Sequence, residues 1–111
     1  MKIERRIADD LLILTLQDTR IDAAGAVPFK EAVRQMVQDF DDRVMIDMTR
    51  IEFLDSSGLG ALVAIMKMLG GARRLELANC GTIVRKVLTL TRMDSVFILH
   101  DAAPTAGRSA A

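Results

Sequence analysis

The chain has 111 residues, of which 50% are hydrophobic and 27% charged, a size and composition typical of one globular domain and not of a disordered chain. Its 15 Lys and Arg balance 15 Asp and Glu, so it lacks the basic excess of general nucleic-acid binders. With only Cys80 and His100, a disulfide framework and a Cys- or His-based metal site are excluded, and no cofactor is indicated. No apolar run approaches the roughly 18 residues of a membrane span and no signal peptide is recognisable, so we expect a cytoplasmic protein.

The first part of the chain alternates between strand-like and helix-like apolar patterns. Two short apolar runs, residues 3–8 and 11–17, are separated by an Ala-Asp-Asp turn, which predicts an antiparallel hairpin. Residues 18–25 are expected to form a turn that leads into a helix. In that helix the apolar residues between Val27 and Phe40 broadly follow the 3.6-residue period.

The rest of the chain continues this alternation. A strand is predicted over residues 43–48, and a second helix runs from about Ser57 to Leu69, where Gly70-Gly71 ends it. Three further elements follow: a strand at 73–78, an amphipathic helix at 82–91 and a strand at 95–99. The order β-β-α-β-α-β-α-β indicates an α/β fold with a mixed, mostly parallel sheet and an N-terminal antiparallel hairpin. We expect one domain over residues 1–100 and a frayed tail over residues 101–111.

The balanced net charge hides a difference between the two halves of the chain. Residues 1–55 carry 8 basic and 12 acidic side chains, whereas residues 56–111 carry 7 basic and 3 acidic ones. A domain with one acidic and one basic side would suit a charged protein partner. The simpler interpretation, which we favour, is that the two sets interdigitate on the folded surface.

The segment LDSSGLG, residues 54–60, lies between a predicted strand and the second helix. Since a helix needs only one N-cap, at least one of its potential capping side chains is left free. Gly58 and Gly60 fall in the first turn, where each costs about 1 kcal/mol relative to Ala and leaves bare backbone for a close approach. The potential capping residues are Asp55, Ser56 and Ser57.

Several kinds of chemistry are excluded at this segment. The chain has no GxxxxGK[ST] motif, and the segment lacks the third glycine of a dinucleotide fingerprint. A nucleophilic serine would need a base, and neither a GxSxG motif nor a suitable histidine is present, so we predict no catalytic residue. Phosphorylation of a hydroxyl remains, because the positive end of a helix dipole tolerates the phosphate charge of about −1.5 to −2.

The second helix carries almost no charge, because Lys67 is the single charged residue between Leu59 and Leu69. A helix that is apolar nearly all round is either fully buried or covered in part by a partner. The pattern by itself favours full burial.

The run Val44–Gly60 resembles the signature of STAS domains, and specifically that of bacterial anti-sigma-factor antagonists. The fold that this resemblance implies is a single STAS domain. Weaker resemblance extends over nearly the whole chain, at the turn Thr19–Asp22, at Gly70-Gly71 with Arg74-Leu75, and in the third helix at Arg85–Thr91.

The resemblance implies a partner switch without enzymatic activity. In this family the serine after the aspartate, here Ser56, is phosphorylated by a GHKL-type ATPase that is both a serine kinase and an anti-sigma factor. The unmodified protein binds this kinase and releases the sigma factor, and a PP2C-type phosphatase resets the switch. Ser57 is then the expected structural hydroxyl. The implied partner-binding residues are Asp22, Asp55, Ser56, Ser57, Gly58, Leu59 and Gly60.

Two other interpretations remain open. In the first, the chain is a constitutive STAS subunit of a larger assembly, such as a lipid-transport complex or a stress-sensing scaffold, and Ser56 is only a helix N-cap. In the second, a nucleotide binds directly at the helix start around Gly58 and Gly60, and the protein acts as a small-molecule sensor.

Overall fold

The computed structural model of the chain describes residues 1–70, 73–105 and 108–109. Three α-helices, α1 (Ala26–Val37), α2 (Ser56–Leu69) and α3 (Thr82–Leu90), are followed by a short 3-10 helix at Met93–Ser95. The strands are β1 (Ile3–Ala8), β2 (Leu11–Leu16), β3 (Arg20–Ile21), β4 (Arg43–Asp47), β5 (Phe53–Leu54), β6 (Glu76–Ala78), β7 (Ile98–His100) and β8 (Arg108–Ser109).

Within the described residues, six strands form the main sheet in the order β7-β6-β4-β2-β1-β8, while β3 and β5 form a separate parallel pair. Strand β1 runs antiparallel to β2 and β8, and the pairs β2–β4, β4–β6 and β6–β7 are parallel. The predicted α/β class, with a mostly parallel sheet and an N-terminal antiparallel hairpin, is confirmed. The hairpin turns at Asp9, whose φ of 54° lies in the left-handed region that aspartate tolerates better than most residues.

The core lies between one face of the sheet, called here the front face, and the three helices. Alternate residues of β2 point into it, because successive side chains of a strand face opposite sides. Apolar residues of the helices complete this core, which buries Leu12, Leu14, Leu16, Phe29, Val33, Leu62, Ile65, Val84 and Leu88. The helices therefore hold their N-terminal turns at fixed positions along one edge of the sheet.

Several element boundaries differ from those predicted. The strand predicted at 73–78 begins only at Glu76, where the ladders to β4 and β7 begin. The preceding Arg73 and Arg74 donate from their guanidinium groups to the backbone carbonyls of Leu69 and Ser95. The strand predicted at 95–99 lies at 98–100, after a 3-10 turn. Strand β3 falls within the turn expected at 18–25, and β5 falls between the predicted strand at 43–48 and the second helix, where no strand was predicted, since two-residue strands carry no readable periodicity.

Parts of two predicted segments, the Gly-Gly end of the second helix and the tail, lie outside the described residues. Gly70 ends α2 with a φ of 65°, as the Gly-Gly pattern predicts, but Gly71 lies outside them. In the predicted tail, residues 106–107 and 110–111 also lie outside, while Arg108–Ser109 pairs with β1. The division into a domain over residues 1–100 and a frayed tail over 101–111 stays a prediction.

Candidate functional site

The N-terminus of α2 is capped by Asp55. Its backbone is extended, and its Oδ1 atom accepts a hydrogen bond of 2.9 Å from the backbone N–H of Gly58. Ser56 and Ser57 are thus the first two helical residues, and both are exposed. No hydrogen bond of either hydroxyl is found among the described residues. The expectation that Ser57 provides the structural hydroxyl is wrong, because the aspartate already occupies the capping position.

The two glycines of the motif have different surroundings. A Cβ atom on Gly58 would lie 2.2 Å from the carbonyl oxygen of Ile21 and 2.7 Å from Cδ1 of Leu54. Gly58 is therefore required for the first turn of α2 to pack on β3 and β5. Gly60 is exposed, and a Cβ atom there would meet no other atom within 4 Å. The bare backbone that the sequence predicts is thus accessible only at Gly60.

The pair β3–β5 brings Asp22 to the same edge as Asp55. Ile21 pairs with Leu54, and the backbone N–H of Asp55 donates to the carbonyl of Ile21 at 3.4 Å. The two aspartates therefore follow two paired parallel strands, and both lie beside the start of α2. The family resemblance implied both residues as partner contacts, but only the short ladder explains why they are neighbours.

Asp22 is held in a local network of hydrogen bonds. Its carboxylate accepts from Nε of Arg20 at 3.2 Å and from the backbone N–H of Gly25 at 3.2 Å. The hydrogen bond from Arg20, followed by that from Gly25, lowers the pKa of Asp22 below its ordinary value. This network favours the charged form of Asp22 and fixes the turn before α1.

Sequence reasoning missed two residues of this edge. The guanidinium of Arg20 lies 4.1 Å from the centre of the Phe53 ring, a cation–π contact that joins β3 to β5. The side chain of Arg20 is exposed and that of Phe53 is half-buried. No pattern in the sequence connects the two residues, because the contact depends on the pairing of strands too short to predict.

Helix α2 is buried on one side only, so the expectation of full burial is wrong. It packs beside α1 over the front face, which covers its inner side and leaves its outer side to solvent. The outer side is mainly apolar but half-buried, at Leu59, Val63, Ala64, Met66 and Met68. Its exposed residues are Ser56, Ser57, Gly60 and Lys67.

The surface beside the site is formed mainly by polar residues. An open groove of about 470 Å³ beside it is lined by Gln17, Asp18, Thr19, Arg20, Asp22 and Gly25. In the part of the chain that the structure describes, no group of three or more His, Cys, Asp or Glu residues could hold a metal ion. Burial raises the pKa of Cys80 to about 11, so this thiol is protonated at neutral pH.

A family model, that of the STAS domain, matches residues 2–106 of the chain. The chain belongs to the STAS domain family. The anti-sigma-F factor antagonist RsfB of Mycobacterium tuberculosis is 31% identical over 86 residues, which cover 74% of this chain and 70% of RsfB. A STAS-domain containing protein of Pseudomonas aeruginosa is 33% identical over 86 residues, covering 76% of this chain and 84% of that protein.

The crystal structure of an anti-sigma factor antagonist from Mycobacterium paratuberculosis has the same fold. It matches this STAS domain with a TM-score of 0.79 and 25% identity, over 91% of this chain and 86% of that chain. The resemblance to STAS domains and to anti-sigma-factor antagonists is therefore confirmed. No helix among the described residues of this STAS domain has the length and apolar character needed to cross a membrane.

Proposed function

We propose that this STAS domain is an anti-sigma-factor antagonist switched by phosphorylation of Ser56. The unmodified protein binds an anti-sigma factor that is also a serine kinase, a GHKL-type ATPase, and so releases the sigma factor in the cytoplasm. The Ser56 oxygen loses its proton and bonds to the γ-phosphorus of ATP, the bond from that phosphorus to the β–γ bridging oxygen breaks, ADP leaves, and the complex dissociates. A PP2C-type phosphatase hydrolyses the phosphoserine and restores binding. The domain itself catalyses nothing.

The observation that carries this proposal is the exposed, unbonded hydroxyl of Ser56 at the start of a helix that Asp55 already caps. A phosphate at this position meets the positive end of the helix dipole, so the fold tolerates it. The same phosphate prevents docking, because burying an unpaired dianion against a partner costs at least several kcal/mol. A loss of about 4 kcal/mol weakens a micromolar complex to a millimolar one.

The proposed contact residues surround this hydroxyl. Ser57 and Gly60 are exposed beside it, Leu59 is half-buried, and the carboxylates of Asp22 and Asp55 lie at the same edge. Gly58 is buried and shapes the surface from below. Relatives named as anti-sigma factor antagonists support the choice of an anti-sigma factor as the partner.

The test compares the wild type with Ser56→Ala and Ser56→Asp as bait at matched concentration in a lysate of the source organism. We expect the wild type and Ser56→Ala to retain a kinase-like ATPase and Ser56→Asp to lose it. With the purified partner, Ser56→Asp should weaken binding by about 100-fold or more, which corresponds to about 3 kcal/mol. The partner and ATP should phosphorylate the wild type at Ser56, as read by mass spectrometry, and should leave Ser56→Ala unmodified.

Ser57→Asp is the matched control, because it places the same charge one residue away on the same helix turn. Its affinity should fall less than that of Ser56→Asp. Equal capture of the same proteins by the wild type, Ser56→Ala and Ser56→Asp would reject the switch and favour the constitutive STAS subunit.

The constitutive alternative gives Ser56 the role of a helix cap, and stability measurements test this role directly. The free energy of unfolding of Ser56→Ala should lie within about 0.5 kcal/mol of the wild-type value, whereas that of Asp55→Ala should be lower by about 1 kcal/mol. A loss at Ser56 comparable to that at Asp55 would support the alternative. Direct nucleotide binding is tested by titration with ATP and GTP, in which the amide signals of Gly58 and Gly60 should not shift.

A further inference from the structure

Helix α3 has a second apolar side that the core does not use. Val84 and Leu88 on its inner side are fully buried. On its outer side Ile83 and Leu90 are 59% and 74% exposed, and the half-buried Val87 lies between them. The spacing i, i+4, i+7 places these three residues on one side of the helix. We call Ile83, Lys86, Val87 and Leu90 the outer stripe.

The outer stripe and the end of α3 beside it carry two unpaired cations among the described residues, Lys86 and Arg92, while the carboxylate Asp94 follows on the 3-10 helix that packs against α3. From Leu77 to Met93 the chain contains no carboxylate, and it carries three cations. Arg85 is engaged, since its guanidinium donates to the carbonyl of Cys80 and to Asp101, each at 3.3 Å. The side chains of Lys86 and Arg92 form no ion pair or hydrogen bond with any other described residue. An acidic surface would complement this part of the molecule.

The outer stripe begins at the edge of the sheet that carries the candidate site. Helix α3 packs against β5, the strand that leads directly into Asp55 and Ser56. Helix α2 comes after β4 and the short β5 in the chain, and α3 comes after β6. Since β4 and β6 are parallel, both helices begin at the same edge of the sheet. The first turn of α3, with Ile83, therefore lies on the side of the molecule that carries Ser56.

The start of α2 offers a partner few large apolar side chains. A specific interface needs about 800 Å² on each partner. The first two turns of α2 expose only Ser56, Ser57 and Gly60, which are small residues. The outer stripe supplies the large apolar side chains that usually form the centre of such an interface.

We propose that the outer stripe of α3 is the second half of the docking surface and receives an acidic, amphipathic segment of the same partner that binds at Ser56. This inference rests on the proposed function. Apolar side chains of the partner cover Ile83, Val87 and Leu90, and a carboxylate of the partner pairs with Lys86. Phosphorylation acts at one end of a surface whose other end provides most of the apolar contact.

The test measures the affinity of the purified partner for Leu90→Ser and Lys86→Glu. Each variant should weaken binding by about tenfold or more, which corresponds to about 1.4 kcal/mol. Added salt should weaken the wild-type complex more than the complex of Lys86→Glu, because the variant lacks the attractive charge pair. The residues are exposed, so circular dichroism and thermal unfolding should remain close to those of the wild type.

Two variants on other parts of the surface serve as controls. Gln38→Ser changes an exposed residue at the C-terminal end of α1, and Lys67→Glu reverses an exposed charge in the last turn of α2, so both lie at the helix ends away from Ser56. Both should bind the partner within about twofold of the wild type. A similar loss in these controls would show a general effect of surface change and would reject the docking role of α3.

The remaining outcomes separate this inference from the proposed function. Wild-type affinity in both α3 variants, together with loss of binding in Ser56→Asp, overturns the docking role of α3 and leaves the switch intact. Weakened α3 variants with an unaffected Ser56→Asp support the docking surface and overturn the switch. Absence of any captured partner overturns both.

Two other occupants of the outer stripe are checked with defined probes. If sedimentation shows self-association of the wild type that Leu90→Ser abolishes, while partner affinity is unchanged, the stripe is an interface between copies of this chain. If the wild type binds vesicles containing phosphatidylglycerol and Lys86→Glu does not, while partner affinity is unchanged, the stripe binds a membrane surface. Either result overturns the inference.

Discussion

Gly58 and Gly60 lie two residues apart in the first turns of α2, yet only one of them is required by the fold. Gly58 is buried against the backbone of Ile21, so its missing side chain allows close packing. Gly60 has open space around its Cα atom, so its glycine brings no packing gain inside the molecule. Gly60 lowers the stability of the helix, and no close packing within the molecule requires a glycine there. Its presence is therefore consistent with close approach by a partner.

The first prediction compares alanine substitutions at these two positions. Gly58→Ala should lower the free energy of unfolding by about 1–3 kcal/mol, because the new Cβ atom would overlap the carbonyl of Ile21 and force the backbone to shift. Gly60→Ala should raise it by up to about 1 kcal/mol through its higher helix propensity. Urea denaturation of both variants measures the difference. Equal effects of the two substitutions would contradict the separate roles assigned here.

At the scale of the elements, the start of β6 places a buried carboxylate between two other strands. Glu76 accepts hydrogen bonds from Nε and from the terminal nitrogen of Arg43 on β4, at 2.9 and 2.8 Å. On β7, Nε2 of His100 lies 2.7 Å from the Oε1 atom of Glu76. Arg43 also reaches Asp10 at the β-hairpin, at 3.3 Å. One carboxylate thus joins three adjacent strands of the sheet.

The second prediction concerns the pH dependence that follows from Glu76. Burial by itself raises the pKa of this carboxyl, but the hydrogen bonds from Arg43 and His100 outweigh it and hold the pKa below the ordinary value of 4.5. The stabilisation is therefore present above about pH 4.5 and is lost as the pH falls through the lower value of the folded state. Glu76→Gln should cost about 1–3 kcal/mol at pH 7.

Urea denaturation of the wild type and Glu76→Gln between pH 7 and about pH 3 measures this effect. The difference between the two proteins should shrink below about pH 4.5, because protonation removes the charge of Glu76 in the wild type as well. A difference that stays constant over this range would show that the ion pairs do not provide the stabilisation.

At the scale of the whole molecule, the described helices pack on the front face of the sheet, and the chain after β7 passes over the opposite face. That face has its own small apolar cluster, against which Ala103 packs. The guanidinium of Arg6 donates a hydrogen bond to the carbonyl of Pro104, and Arg108–Ser109 pairs with β1 at the far edge. The cluster comprises Ala8, Leu11, Ile13, Met45 and Ala78.

The third prediction is that truncation after Asp101 destabilises the domain. It removes the packing of Ala103 and the hydrogen bond at Pro104, which together are worth about 1–2 kcal/mol. The truncated protein should also bind more of a dye that reports exposed apolar surface. Unchanged stability and unchanged dye binding would instead support the frayed tail expected from the sequence.

Most of the fold could be predicted from local patterns. The hairpin at Asp9, the three helices and the parallel strands between them each follow from periodicity within a short window. The motif at residues 54–60 and the resemblance at the turn Thr19–Asp22 singled out Ser56 and Asp22, but not that the two lie at one edge. The exact ends of β6 and β7 could not be predicted, because they depend on which residues of β4, β6 and β7 pair with one another across segments distant in sequence.

The sequence by itself determined the α/β class, the order of the elements and the presence of a strand-to-helix motif with one hydroxyl to spare. Only the tertiary structure decided that Asp55 is the cap, that Gly58 is required for packing and that α2 is exposed on one side. The reason is physical. Periodicity and capping preference act between residues close in sequence, whereas exposure and close packing depend on segments such as β3 that approach only in the folded chain.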